Sequence, residues 1–189
     1  LFQVLDSGYE WNQGVNPTVD LISAKVLNEN NETTVERVIQ AIDWAIEKDS
    51  DIISMSFGMK VDSEKLHRAI RKAHRAGILL VAAAGNDGET EYPAAYKEVM
   101  SVGAVDSVAS QLKGSAGGKD IEVVAPGENI ASYGAFECLE SFSGTSMAAP
   151  QVTALAAMLW QRDLEKPAEF IRSLIDVTAN HLGDEKVYG

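Results

Sequence analysis

The sequence predicts an α/β fold of three layers, with a mainly parallel β-sheet flanked by helices on both faces. Short apolar segments of strand length recur along the chain, and amphipathic helical patterns fill the intervals between them. This alternation favours parallel pairing of the strands, with helices packed over the sheet. A length of 189 residues and a hydrophobic content of 46% indicate one compact domain, residues 1–189.

Six apolar segments are predicted to be strands. They are Phe2–Leu5, Leu21–Leu27, Ile52–Met55, Ile78–Ala84, Met100–Val105 and the shorter Ile121–Val124. The stretch Lys113–Lys119 is rich in Gly and Ser and predicts a surface loop.

Three helices are predicted from apolar spacing and from end signals. Thr33-x-x-Glu36 has the pattern of a capping box and precedes apolar residues at helical spacing. Ser63 is expected to cap the next helix, which should stop at Gly77, a favourable residue just past a helix end. A last helix is predicted over residues 167–175, opened by a proline.

The composition and net charge of the chain exclude some classes of binding partner. A formal net charge of -12 and an isoelectric point near 4.6 argue against nucleic acid and anionic membranes, because both would be repelled. The single Cys138 excludes an internal disulfide. No apolar stretch is long enough to span a bilayer, and no signal peptide is visible. Secreted and intracellular locations both remain open.

The segment 144–150, Gly-Thr-Ser-Met-Ala-Ala-Pro, places Ser146 between a glycine-led turn and a long apolar run. At a helix start the first N–H groups have no intrahelical partner, and the helix dipole favours negative charge. An oxyanion that forms beside Ser146 would therefore be stabilised, as acyl transfer requires. A helix N-cap alone is the simpler interpretation of an isolated Gly-Thr-Ser.

Three polar residues, Asp6, Ser56 and Asn86, follow predicted strands. In open parallel sheets ligands bind beyond the carboxyl ends of the strands, so one common site is expected. Small residues before Asn86 would let a substrate backbone approach, and its amide could donate to a developing oxyanion. Both Asp6, which stands close to a glycine, and Asn86-Asp87-Gly88 also suit plain turns.

Together these segments resemble the subtilisin-like serine peptidases, whose nucleophile stands in a Gly-Thr-Ser-Met-Ala-x-Pro segment. The resemblance covers nearly the whole chain, because further matches follow in the family's order. They are Val4-Leu5-Asp6-Ser7-Gly8, Gly14-Val15-Asn16-Pro17, the segments 51–58 and 82–86, Tyr92-Pro93, Val102-Gly103-Ala104-Val105 and Val123-Val124-Ala125-Pro126-Gly127.

The resemblance implies a serine endopeptidase that hydrolyses peptide bonds, with Ser146 as nucleophile. By the same resemblance, Asn86 and the Ser146 backbone N–H are the oxyanion donors, and Asp6 is the carboxylate that orients a histidine. A peptidase relative that transfers the acyl group to an amine instead of water fits the sequence equally. No cofactor and no metal site are predicted. A structural calcium ion stays open, although no carboxylate cluster with calcium-loop spacing supports it.

Two segments, Ser56-Phe57-Gly58 and Ala83-Ala84-Gly85, resemble those that line the family's groove for the residue preceding the scissile bond. A polypeptide substrate is implied, bound as an added strand, and a propeptide or protein inhibitor would suit the same groove. Asp87 corresponds to the rim of this pocket and is expected to favour Lys or Arg by only about 1 kcal/mol, because water screens it. Alternatively, Asp87 only forms a turn with Gly88.

The family's catalytic histidine has no counterpart in this sequence. Only Ser7–Gln13 separate Asp6 from Gly14, which is too short for the helix that carries it in the family. The three histidines, 67, 74 and 181, are expected on solvated helix or tail surfaces instead.

Two explanations stay open for the missing histidine. Either the segment is absent, leaving an inactive pseudopeptidase that binds peptides or serves as a scaffold, or the sequence has been joined across it between Asp6 and Pro17. A join would give a Cα–Cα distance other than the roughly 3.8 Å of a trans peptide. The chain also opens at Leu1 without Met and ends at Gly189, so a domain shortened at both ends is expected.

Overall fold

The computed structural model describes residues 14–134 and 138–188. The predicted strand Phe2–Leu5, the carboxylate of Asp6 and most of the proposed join lie outside these residues. Within them, the chain alternates between strands and helices as predicted, and a parallel sheet is covered by helices on both faces.

Four parallel strands form the main sheet, in the order β1-β2-β3-β4. Their bounds are β1 Ile52–Met55, β2 Leu79–Ala83, β3 Met100–Val105 and β4 Val123–Pro126. Every residue of β2 and of β3 is buried. Central parallel strands are covered on both faces, which explains why these two are apolar almost throughout.

The helices form the two outer layers. They are α1 Val35–Glu47, α2 Glu64–Arg75, α3 Thr145–Trp160, α4 Ala168–Thr178 and the short α5 Glu185–Tyr188. Strand β2 contributes to two cores, because successive side chains point to opposite faces. Leu79, Val81 and Ala83 pack with α3 and α4. Leu80 and Ala82 pack with α1 and α2 on the other side.

The predicted helix ends are confirmed at α2 and differ by one residue at α1. Ser63 Oγ accepts the Leu66 N–H at 3.4 Å, and Gly77 lies past the end of α2 with φ +85°. At α1 the cap is Thr34 and not Thr33, because Thr34 Oγ1 accepts the Arg37 N–H at 3.3 Å. The fourth helix starts after Pro167 as predicted but runs three residues further.

The strand predicted over residues 21–27 is wrong. This stretch has no regular structure and pairs with none of the described strands. Leu21 and Ile22 are 55% and 46% exposed, so the apolar run is not buried by the described part of the chain. A strand is stabilised by its ladder partners, which local composition does not supply.

The sequence analysis also did not predict a hairpin, and it placed a partly buried loop on the surface. Strands β5 Ile130–Tyr133 and β6 Leu139–Phe142 pair antiparallel outside the main sheet. The loop 113–119 is irregular as predicted, yet its middle is interior: Ser115 and Ala116 are buried, and Ser115 Oγ accepts the Ala104 N–H at 2.9 Å. Among the described residues, no helix has the length and apolar character needed to cross a membrane.

Candidate active site

Ser146 is the second residue of α3, at the carboxyl edge of the sheet. The helix starts after Gly144, whose φ of +139° is a conformation that favours glycine. A Cβ at this position would lie 3.0 Å from Asn86 Oδ1. The glycine therefore allows the helix start to approach the residues that follow β2.

The nucleophile segment is joined to the end of β1 by two reciprocal hydrogen bonds. Ser146 Oγ donates to the Ser56 carbonyl oxygen at 3.0 Å, and Ser56 Oγ donates to the Ser146 carbonyl oxygen at 3.0 Å. Pro150, four residues further along α3, has no N–H and cannot bond the Ser146 carbonyl within the helix. The Ser56 hydroxyl supplies the hydrogen bond that the proline removes.

Asn86 is held in one orientation by the same helix start. Its Oδ1 accepts the Thr145 N–H at 2.9 Å and the Thr145 hydroxyl at 3.2 Å. Thr145 Oγ1 in turn accepts the Gly85 N–H at 3.2 Å, and the Thr145 side chain is completely buried. Because a backbone N–H can only donate, this contact identifies the amide oxygen. The Asn86 Nδ2 makes no hydrogen bond within the described part of the chain and is left for a ligand.

The two predicted groove segments follow β1 and β2, next to Ser146 and Asn86. Ala83, Ala84 and Gly85 form a buried wall at the end of β2. Ser56 and Phe57 are partly buried and Gly58 is exposed, at the end of β1. Asp87 lies on the surface and forms an ion pair with Lys60. Of the predicted site residues, all except Asp6 therefore lie in the described structure around one edge of the sheet.

Comparison with known proteins identifies the relatives of this chain. The model of the subtilase family matches residues 5–189. The chain belongs to the subtilase family. It is 42% identical over 178 residues to the Thermostable alkaline protease of Halalkalibacterium halodurans, covering 93% of this chain and 49% of that protein. It is 38% identical to Subtilisin DY of Bacillus licheniformis, covering 93% of this chain and 66% of that protein.

Solved structures of subtilases give the same result. A cold adapted subtilisin-like serine proteinase superposes with a TM-score of 0.86 at 28% identity, over 93% of this chain and 65% of that one. Sphericase superposes with a TM-score of 0.77, also at 28% identity, over 87% of this chain and 64% of that one. This subtilase chain thus spans about half to two thirds of the length of these relatives.

The histidines of this subtilase chain are engaged elsewhere. His67 Nε2 lies 2.9 Å from Glu98 Oε2, and its ring stacks on Tyr96 with centroids 4.0 Å apart. His74 pairs with Glu169 at 2.7 Å. The expectation of a solvated His67 is wrong, because its side chain is only 22% exposed. None of the chain's three histidines contacts Ser146 in the described structure.

Glu98 shows the electrostatic effect of its pairing with His67. Burial acts to raise the pKa of Glu98, but the hydrogen bond from His67 and those from the backbone outweigh it. The pKa of Glu98 is therefore below its usual range. Within the residues that the structure describes, no group of three or more His, Cys, Asp or Glu side chains could hold a metal ion.

Two contributors to the site were not identified from the sequence. Thr145 holds Asn86, but within the motif it appears only as a candidate cap. Glu91 lies between the two groove segments, and nothing in its sequence neighbourhood signals that position. In both cases the signal is a contact between distant parts of the chain, which a single sequence does not reveal.

Proposed function

We propose that this protein is a serine endopeptidase of the subtilisin type, with Ser146 as its nucleophile. The observation that carries the proposal is the junction of Ser146 with Asn86 through Thr145, which leaves the Asn86 Nδ2 free beside the nucleophile. A peptide would bind as an added strand along Gly58, whose backbone makes no hydrogen bond to the described residues.

In the proposed reaction, Ser146 Oγ attacks the scissile carbonyl carbon and gives its proton to a base. The oxyanion that forms accepts hydrogen bonds from Asn86 Nδ2 and from the Ser146 N–H, a donor left unpaired at the helix start. In subtilisin itself, a measured case, loss of the corresponding asparagine costs roughly 2.7–4 kcal/mol of transition-state stabilisation. The base would be a histidine oriented by Asp6, and this sequence does not contain it.

A second candidate is a catalytically inactive pseudopeptidase that binds peptides in the same groove. Two observations favour it: the Ser146 hydroxyl donates to the Ser56 carbonyl oxygen, and no histidine contacts this hydroxyl in the described structure. Both candidates share the peptide groove, so they differ only in the base.

Labelling with a serine-directed phosphonate, followed by mass spectrometry, separates the two candidates. If no base reaches Ser146, the protein is expected to react slowly, because loss of the histidine costs about 2 × 10⁶ in kcat in subtilisin, leaving roughly 10³–10⁴ over water. Rapid, stoichiometric labelling at Ser146 that disappears in Ser146→Ala would instead show that a base is present and support the endopeptidase. Slow labelling together with peptide binding would support the pseudopeptidase.

A further inference from the structure

The segment that carries Glu91 is fixed between the two groove segments by backbone hydrogen bonds. The Glu91 N–H donates to the Ala84 carbonyl oxygen at 2.8 Å. On the other side, Met59 and Tyr92 exchange two backbone bonds of 2.7 and 2.9 Å. Glu91 is thus attached both to the end of β2 and to the chain that follows β1.

The Glu91 side chain lies across the glycines of both groove segments. A Cβ added at Gly58 would overlap the Glu91 carboxylate and would lie 2.7 Å from Glu91 Cβ. A Cβ added at Gly85 would lie 3.0 Å from Glu91 Cγ. The two glycines give the room that this side chain occupies, and its carboxylate lies against Gly58.

The carboxylate of Glu91 is not neutralised by a neighbour. It makes no hydrogen bond and no ion pair with any residue in the described part of the chain. Lys60, the nearby cation, is paired with Asp87. The hydrogen bond to Asp87 and the charge of Asp87 raise the pKa of Lys60, with smaller contributions from the charges of Glu91 and Glu89. The Asp87 carboxylate at the rim is therefore compensated by Lys60, whereas the Glu91 carboxylate between the two groove segments is open to a ligand.

We propose that Glu91 makes this groove select peptides with Lys or Arg at the residue preceding the scissile bond. The inference rests on the proposed function, because it requires a peptide in the groove. The aliphatic stem of a Lys or Arg would pack on the small side chains of the Ala83–Gly85 wall, and its charged end would meet the carboxylate. An aliphatic residue would cover the carboxylate without giving it a partner, which is unfavourable.

The test compares matched peptides that differ in one charge. Two peptides that end in Lys or in its uncharged analogue norleucine at the proposed position are titrated into the isotope-labelled 189-residue protein. Backbone amide shifts of Gly58 and Gly85 locate the binding and give the two Kd values. We expect Lys to be preferred by about tenfold at low ionic strength, since hydrogen bonds to charged groups are stronger than neutral ones, and the preference to shrink as salt is added.

Glu91→Gln removes the charge while keeping the side-chain volume. It is expected to reduce the Lys preference to about twofold or less, mainly by weakening the Lys peptide, since the remaining surface charge is screened. Glu89→Gln makes the same chemical change at an exposed position on the same segment and should leave the preference unchanged. Norleucine-peptide affinity that is unchanged or higher shows that Glu91→Gln is folded, because this variant removes the charge that an aliphatic side chain would cover. Glu91→Asp, which keeps the charge but withdraws it, should give an intermediate preference.

The outcomes distinguish the inference from the proposed function. If both peptides bind but Glu91→Gln keeps the Lys preference, Glu91 is not the selecting group and the groove stands. An equal loss in Glu89→Gln would also overturn the inference, in favour of a general effect of acidic charge. If neither peptide perturbs Gly58 or Gly85 in the unaltered protein, the proposed peptide groove itself fails.

Discussion

At the scale of single residues, the position of Asn86 depends on a threonine hydroxyl. Thr145 uses both functions of this group, since it donates to Asn86 Oδ1 and accepts the Gly85 N–H. All of this takes place at a completely buried side chain. A buried N–H that loses its acceptor costs more than the hydrogen bond alone, because the group cannot return to water.

Thr145→Val is therefore expected to destabilise the protein by about 1–3 kcal/mol, although it keeps the shape and the β-branch. Thr145→Ser keeps the hydroxyl and should cost less, because only one methyl group is lost. Urea unfolding of the three proteins gives the comparison. If the valine variant is as stable as the serine variant, the hydroxyl does not contribute as described.

At the scale of elements, the start of α1 shows what a capping pattern can predict. Thr33-x-x-Glu36 correctly located the start of α1, but the neighbouring threonine makes the hydrogen bond. Two adjacent threonines give the same local signal. The backbone at Thr34, with φ −119° and ψ 154°, decides which hydroxyl reaches the first turn.

Thr34→Ala is expected to lower the free energy of unfolding by about 1 kcal/mol, the usual cost of losing an N-cap. Thr33→Ala provides the matched control, because the Thr33 hydroxyl contacts only the Thr34 carbonyl oxygen, at 3.5 Å. Thermal unfolding of both variants at one pH measures the difference. An effect of similar size from Thr33→Ala would argue that the capping box begins at that residue after all.

The strands were predictable where burial alone determines them. The strands β1, β2 and β3 were predicted within a residue at each end. For β2 and β3 the reason is that apolar runs covered on both faces have few alternatives. The strand wrongly predicted over residues 21–27 and the hairpin β5–β6, which was not predicted, have the same explanation. Whether each of these segments forms a strand depends on which other segments lie beside it. The local pattern of apolar and polar residues does not identify those partners. The same holds at the site: Ser146 and Asn86 stand in motifs, whereas Glu91 is identified only by contacts.

At the scale of the whole molecule, partial burial together with neighbouring negative charge perturbs the pKa of the Asp176 carboxyl. Arg172 on α4 binds Glu122 through two hydrogen bonds of 2.6 and 2.5 Å. Asp176 lies one turn further along the same helix. Burial and then the charge of Glu122 raise the pKa of Asp176 to about 6 from 3.8, although Arg172 acts in the opposite direction.

This raised pKa means that the folded state binds a proton at Asp176 more tightly than the unfolded chain does. The stability that it contributes is present below the ordinary pKa and is lost as the pH rises through about 6. Asp176→Asn, which cannot ionise, should therefore become more stable relative to the unaltered protein between about pH 4 and 7, by about 1 kcal/mol or less since the group is partly solvated. Urea unfolding across this pH range measures the gain.

Ser173→Ala, on the exposed side of the same helix, changes no ionisable group and should show no such pH dependence. A gain in Asp176→Asn that is the same at both ends of the pH range would mean that the proton affinity of this carboxyl does not change on folding.

Strand β2 also affects how the molecule opens. It contributes Leu79, Val81 and Ala83 to one core and Leu80 and Ala82 to the other. Its backbone pairs with β1 and β3, and both of its faces lie under helices, so we expect its amides to be among the slowest to exchange. The strand leads directly into the Ala83–Gly85 wall of the site, which is followed by Asn86. The position of Asn86 is thereby tied to a buried strand of the sheet, and fluctuations that fray α1 or α2 should leave it in place.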